Sequence, residues 1–191
     1  MELISDDGAQ LEIGPLKRRV VLAVLALSGE RLTSADRLIE SVWGASPPAT
    51  ALHTLHGLVS QLRVTLGQEA IESHAAGYRL NAANVTVDVD QFQEKLAAGD
   101  DSDAAMAMWT GAALEGLGDS DAIVVERQRL EALRLVAVEA WCDRRLAVGA
   151  ESAVIDLIES ELPASPFRET LWERLMLAQY RAHRQADALA T

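Results

Sequence analysis

Several side chains in the first half of this sequence could grip a polyanion: the run Lys17-Arg18-Arg19, the pair His53 and His56 with Ser60, and two later arginines, Arg63 and Arg79. Ammonium, guanidinium, imidazole and hydroxyl groups all donate hydrogen bonds, and phosphate oxygens and base edges accept them. Taken singly, each has a plainer reading. A basic run at a helix start is as readily solvated, and Arg63 or Arg79 as readily ion-paired. His53 and His56 are three residues apart, a spacing a metal could use on a helix, but no convincing further ligand lies nearby in sequence. Solvent-facing or groove-facing histidines are the simpler reading.

The elements that would position these groups are legible from pattern. Pro15 precedes a helix over about 16–28 whose first turn carries the three cations, an arrangement the helix dipole opposes. Thr33 or Ser34 can cap a second helix over 34–43, which ends near Gly44. Pro47-Pro48 forces an extended approach to a third helix, 49–66, stopped by Gly67. On that helix Leu52, Leu55, Leu58, Val59, Leu62 and Leu66 fall in one arc, which is the expected core face. His53, His56, Gly57, Ser60 and Val64 lie opposite, flanked by Gln61 and Arg63. Strands near 70–72 and 77–80 follow, the second being Gly77-Tyr78-Arg79-Leu80. An earlier hairpin is expected from Leu3-Ile4-Ser5, Asp6-Asp7-Gly8 and Leu11-Glu12-Ile13. Helix, turn, amphipathic helix and hairpin in this order read as a winged helix-turn-helix, a unit that places a helix in a DNA groove.

Beyond Asp90 the pattern is helical, with segments expected near 90–98, 101–113, 121–148, 150–161 and 167–182 and a last one from about 184. The acids at 98–103 lack the spacing of a calcium loop. Gly111, Gly116 and Gly118 read as a connection between helices, while Trp43, Trp109 and Trp172 read as core anchors. A weak repeat near 35 residues relates Leu146 to Tyr180 and Ser152-Ala153-Val154 to Asp187-Ala188-Leu189, suggesting tetratricopeptide-like packing. The sequence stops inside a helix that should have a partner, which reads as an incomplete array. The expected fold is mostly α with a small β component: a winged helix-turn-helix over 1–88, then an all-α tetratricopeptide-like helical domain over 89–191.

Composition narrows the function classes. The formal net charge is −12, with 7 Lys/Arg against 10 Asp/Glu through residue 88 and 10 against 19 after it. A distant negative field of that size weakens phosphate binding and makes it more sensitive to salt. No apolar run is long enough to cross a bilayer and the first residues lack a secretory pattern, so the expectation is a soluble cytoplasmic protein without membrane partners. Cys142, beside Trp141 on an apolar helix, reads as a packing residue rather than a nucleophile. The phosphate-loop, His-Glu-x-x-His and Gly-x-Ser-x-Gly patterns are all missing, so neither an enzyme nor a cofactor is expected.

Two sets of motifs resemble one family, the SARP transcriptional activators of actinobacteria. The first set runs from Lys17-Arg18-Arg19-Val20-Val21-Leu22-Ala23 through Asp36-Arg37-Leu38, Val42-Trp43-Gly44 and Pro47-Pro48-Ala49-Thr50-Ala51. It continues with Thr54-Leu55, Val59-Ser60-Gln61-Leu62-Arg63, Leu66-Gly67 and Gly77-Tyr78-Arg79-Leu80. The second set resembles that family's bacterial transcriptional activation domain. It comprises Trp109-Thr110-Gly111, Ala113-Leu114, Arg129-Leu130-Glu131, Pro166-Phe167-Arg168-Glu169, Leu171-Trp172 and Arg184-Gln185-Ala186-Asp187-Ala188-Leu189.

The resemblance implies an OmpR-type winged helix, binding to direct repeats in double-stranded promoter DNA, dimerisation on that DNA, and recruitment of RNA polymerase holoenzyme. It would put His56, Ser60 and Arg63 on the DNA-facing helix, Thr54 at a phosphate, Lys17 and Arg19 on the backbone, and Arg79 near the wing. This sequence departs from the family where basic residues are frequent on that helix, carrying Gln61 and Val64, and the Ser73-His74-Ala75-Ala76 wing tip has no Lys or Arg. A second reading therefore stands beside the first: a protein-interaction module whose winged helix no longer reads DNA and whose helical repeats hold a partner segment.

Overall fold

Pro15, with φ fixed near −65°, starts α1 (Leu16–Ser28), and the apolar run Val20–Leu25 within it is buried throughout. The computed structural model describes residues 2–5, 7–99 and 102–191. Ser34 caps α2 (Ala35–Trp43) by accepting from the Arg37 N–H at 3.2 Å, and Gly44, with φ 62°, ends it. α3 spans Ala51–Leu66 and buries Leu55, Val59 and Leu62.

Three short strands follow the order β1-β3-β2, all antiparallel: β1 (Thr33–Ser34), β2 (Ile71–His74) and β3 (Gly77–Leu80). β3 pairs Tyr78 with Thr33 on one side, and Leu80 and Arg79 with Ile71 and Glu72 on the other. A Cβ at residue 77 would lie 2.0 Å from the Thr33 carbonyl oxygen, so the close approach of β1 to β3 requires Gly77.

The remaining helices are α4 (Asp88–Ala98), α5 (Ser102–Ala107), α6 (Asp121–Ala147), α7 (Glu151–Glu161), α8 (Glu169–Arg181) and α9 (Gln185–Ala190). The chain divides into two compact units. One comprises Met1–Gln93 with Thr110–Glu131, the other Glu94–Trp109 with Ala132–Thr191. In the first, α1, α2, α3 and the sheet share a core of Val21, Leu25, Leu38, Leu55, Leu62 and Ile71, joined by Leu117 and Ile123 from the later segment. In the second, Val138, Cys142 and Leu146 of α6 pack with Val154 and Ile158 of α7 and Leu171 of α8.

Several local expectations change. The expected N-terminal hairpin narrows to a single bridge, Ile4 with Gln10, flanked by the bonds Ser5 N–H to Ala9 O at 2.9 Å and Leu11 N–H to Leu3 O at 2.8 Å. Its Asp6 lies outside the described residues. β1 was not foreseen, since a two-residue strand leaves no periodic signal. The helix expected over 101–113 stops at Ala107, and Asp101 lies outside the described residues. Beyond that point the Ala113 peptide is held by side chains of α6: its N–H donates to Glu131 Oε1 at 3.1 Å, and its carbonyl accepts from Arg127 Nε at 3.2 Å.

Leu52, placed in the core arc of α3, is 49% exposed, because it stands in the first turn behind the exposed segment 45–50. The tryptophans read as core anchors are half-buried. Trp43 lies under Lys17 at 4.9 Å, Trp109 under Arg134 at 5.9 Å, and Trp172 donates its indole N–H to the Pro166 carbonyl at 2.8 Å. An indole that meets a cation or a carbonyl keeps a polar partner at the core's edge instead of sinking into it.

Candidate nucleic-acid interface

The outward face of α3 presents His53, His56, Gly57, Ser60, Gln61 and Val64 to solvent. A hypothetical Cβ at Gly57 would meet nothing within 4 Å, and Val64 is 78% exposed, so the middle of this face is a narrow ridge free of formal charge. Such a ridge allows close approach and a few directional contacts, but supplies little attraction of its own. Thr54, half-buried, donates its hydroxyl to the Thr50 carbonyl at 3.0 Å, which satisfies a group in the first helical turn. Ser60 stands free on the ridge.

Three of the sequence-derived candidates converge on the β2–β3 hairpin. His56 meets Tyr78 edge-to-face, with ring centroids 6.4 Å apart. Burial pushes the Tyr78 hydroxyl pKa up, partly countered by the charge of Arg63. Arg63 donates Nε and Nη2 to the Ile71 carbonyl at 2.9 and 2.6 Å, and Nη2 to Ser73 Oγ at 2.8 Å. The charge on α3 is thus tied into the hairpin, where it fixes the angle between helix and strand. Arg79 donates Nε to Glu72 Oε2 at 3.1 Å and Nη2 to the same oxygen, which also meets His74 Nε2 at 3.3 Å. The hydrogen bond from Arg79 holds the Glu72 carboxyl below the usual glutamate range, so it is ionised at neutral pH.

The start of α1 differs. Lys17, Arg18 and Arg19 make no ion pair among the described residues. Lys17 lies exposed over Trp43. The Nε atoms of Arg18 and Arg19 are buried without a hydrogen-bond partner. Gly14, at φ 92°, leaves room for Arg18, whose guanidinium carbon lies 2.9 Å from where a Cβ would stand, and Arg19 reaches toward Gly116. Three cations without a carboxylate partner among the described residues, in a chain of net charge −12, form a local positive spot.

Glu72, Ser73 and Tyr78 were not among the candidate site residues read from the sequence, and the stacking of Lys17 on Trp43 was not foreseen. A signal for Glu72 existed. A two-residue turn at Ala75-Ala76 pairs 74 with 77 and therefore 72 with 79, placing the carboxylate opposite Arg79.

Known proteins define the class. Residues 83–191 match the family model described as bacterial transcriptional activator domain. The regulatory protein AfsR of Streptomyces griseus is 33% identical over 94% of this chain and 20% of its own length. The transcriptional regulatory protein EmbR of Mycobacterium tuberculosis is 32% identical over 96% of this chain and 52% of its own. The regulatory protein DnrI of Streptomyces peucetius is 28% identical over 91% of this chain and 72% of its own. A solved structure, Mycobacterium tuberculosis EmbR in complex with a low-affinity phosphopeptide, superposes with a TM-score of 0.86 at 31% identity. It covers 96% of this chain and 54% of that one.

The protein is of the transcriptional-regulator class, mostly helical with a small three-stranded sheet as in EmbR. More particularly, the chain belongs to the SARP family of transcriptional regulators. It spans 20% of AfsR and 52% of EmbR. Among the described residues no helix is long and apolar enough to cross a membrane.

Proposed function

We propose that this chain is a DNA-binding regulator that activates a biosynthetic pathway, with residues 1–88 acting as a winged helix-turn-helix on promoter repeats. In this reading residues 89–191 form a tetratricopeptide-like activation domain that contacts RNA polymerase, and two copies bind side by side on the DNA. The carrying observation is the triad Lys17-Arg18-Arg19, which meets no carboxylate among the described residues and gives an acidic chain a place that favours phosphate. The ridge of α3 supplies His53, His56, Ser60 and Gln61 as donors and acceptors for base edges. Pairing two copies on repeated half-sites adds avidity to a surface with few free cations.

A second reading is favoured by the hairpin: its Arg63 and Arg79 are engaged within the protein, as in a unit that serves protein contacts alone. Fluorescence-anisotropy titration of promoter fragments at several salt concentrations separates the two. Sequence-selective binding with a steep salt slope, lost in Lys17→Glu/Arg19→Glu, supports the regulator reading. Equal, weak affinity for all fragments supports the protein-interaction module.

A further inference from the structure

In the β2–β3 hairpin, one carboxylate oxygen takes both the Nε and the Nη2 of Arg79. The pair is set by the strand register, Glu72 opposite Arg79, and not by a chance meeting of surface side chains. It is also open to solvent, the two side chains being 35% and 39% exposed, so an incoming phosphate can reach the guanidinium. His74 holds the same oxygen from the strand end, leaving the carboxylate no need of Arg79 alone. Arg63, the other arginine of this region, is anchored to the Ile71 carbonyl and cannot substitute.

We propose that Glu72 is an internal competitor for Arg79: it holds the guanidinium off DNA until a phosphate displaces it, and so sets the affinity and salt sensitivity of the wing. This rests on the DNA-binding reading above. A carboxylate and a phosphate diester present the same kind of acceptor to the planar guanidinium, so the exchange replaces one charge-assisted pair by another. Its net gain is small in the wild type, because breaking the internal pair offsets the new contact. Removing the carboxylate charge unmasks that gain. The counter-ion thereby keeps non-specific binding low, since only a site that docks α3 brings a phosphate close enough to win Arg79.

The test is anisotropy titration of the intact chain on a promoter duplex and on an unrelated duplex, for wild type, Glu72→Gln, Arg79→Gln and the double variant. Glu72→Gln is expected to bind the unrelated duplex roughly five- to tenfold more tightly, with the salt slope steeper by about 0.9, the contribution of one added phosphate contact, and to bind the promoter duplex more tightly by a smaller factor with little change of slope. In the Arg79→Gln background the same change is expected to have little effect. A gain that persists without Arg79 overturns the proposal, because Glu72 then acts only as a bare negative charge. Equal affinity and slope for wild type and Glu72→Gln overturns it while leaving DNA binding intact. Failure of wild type and Glu72→Gln alike to bind any duplex overturns both. The Arg79 Nε–H proton resonance gives a readout independent of affinity: it should shift in Glu72→Gln alone, and in the wild type on adding promoter DNA.

Discussion

In the second unit, Arg134 grips Glu161 through two bonds of 2.7 and 2.6 Å, and Arg174 grips Asp143 through two of 2.8 and 2.7 Å. Arg168 donates to Glu139 at 2.7 Å, and Thr170 donates to the same oxygen. Each pair joins α6 to α7 or to α8 and the residue before it, so these arginines are structural fasteners. In the first unit Lys17, Arg18 and Arg19 have no such partner among the described residues, and the ridge of α3 holds no Lys or Arg. The same residue type thus does two jobs. Where a carboxylate on another helix meets the cation the pair fixes helix to helix, and where none does, as at exposed Lys17, the charge remains available to an external anion.

The sharpest way to break this contrast is in the second unit. Arg134 and Glu161 are 16% and 12% exposed, and Arg134→Met leaves a carboxylate buried without its partner. Urea denaturation should show a loss of about 3 kcal/mol, largely restored when Glu161→Met is added, because a charge-free pair no longer demands solvation. Promoter affinity per folded molecule should not change.

In the first unit the reverse pattern is expected. Lys17→Glu/Arg19→Glu should reduce DNA affinity by roughly thirtyfold at low salt and flatten the salt slope by about 2, through two lost and repelled phosphate contacts. Urea midpoints should move less than in Arg134→Met, the cost being the lost stacking of Lys17 on Trp43 and a half-buried acid at position 19.

A smaller effect sharpens the fastener reading through pH. Burial pushes the Glu139 carboxyl up, but the hydrogen bonds from Arg168 and Thr170 outweigh it and leave the pKa below the ordinary glutamate value. A lowered folded-state pKa gives stability that is fully present above the unfolded value and is lost as pH falls through the folded one. The difference in urea midpoint between wild type and Glu139→Gln should therefore be greatest near pH 6 and close as the pH drops toward 3.

The smallest effect is a null. Burial raises the Cys142 thiol to about 12, so alkylation at pH 8 should be negligible in the native chain and appear only in step with urea unfolding. Rapid native labelling would mean that the α6–α7–α8 core opens far more often than its packing implies.

Much of this molecule was legible because local chemistry punctuates it. Pro15, Ser34, Gly44 and Gly67 mark helix ends within a residue or two, and the 3.6-residue period of α3 separates Leu55, Val59 and Leu62 from the ridge of His53, His56 and Ser60. The candidate site was legible as a set of residues but not as a set of states. From type and spacing, Lys17, Arg63 and Arg79 look alike, each a cation near a helix-turn-helix pattern.

By itself, then, the sequence determined most of the helices, the β2–β3 hairpin and the family, since caps, turn residues and hydrophobic period act over a few residues and are written in order along the chain. Only the tertiary structure decided what each cation does. Arg63 is bound to the Ile71 carbonyl eight residues away, Arg79 is matched by strand register to Glu72, and Lys17 rests on Trp43 with no carboxylate partner among the described residues. The physical reason is that a charge takes its role from the partners that folding brings within about 3–4 Å, and those partners are chosen by packing rather than by neighbourhood in sequence.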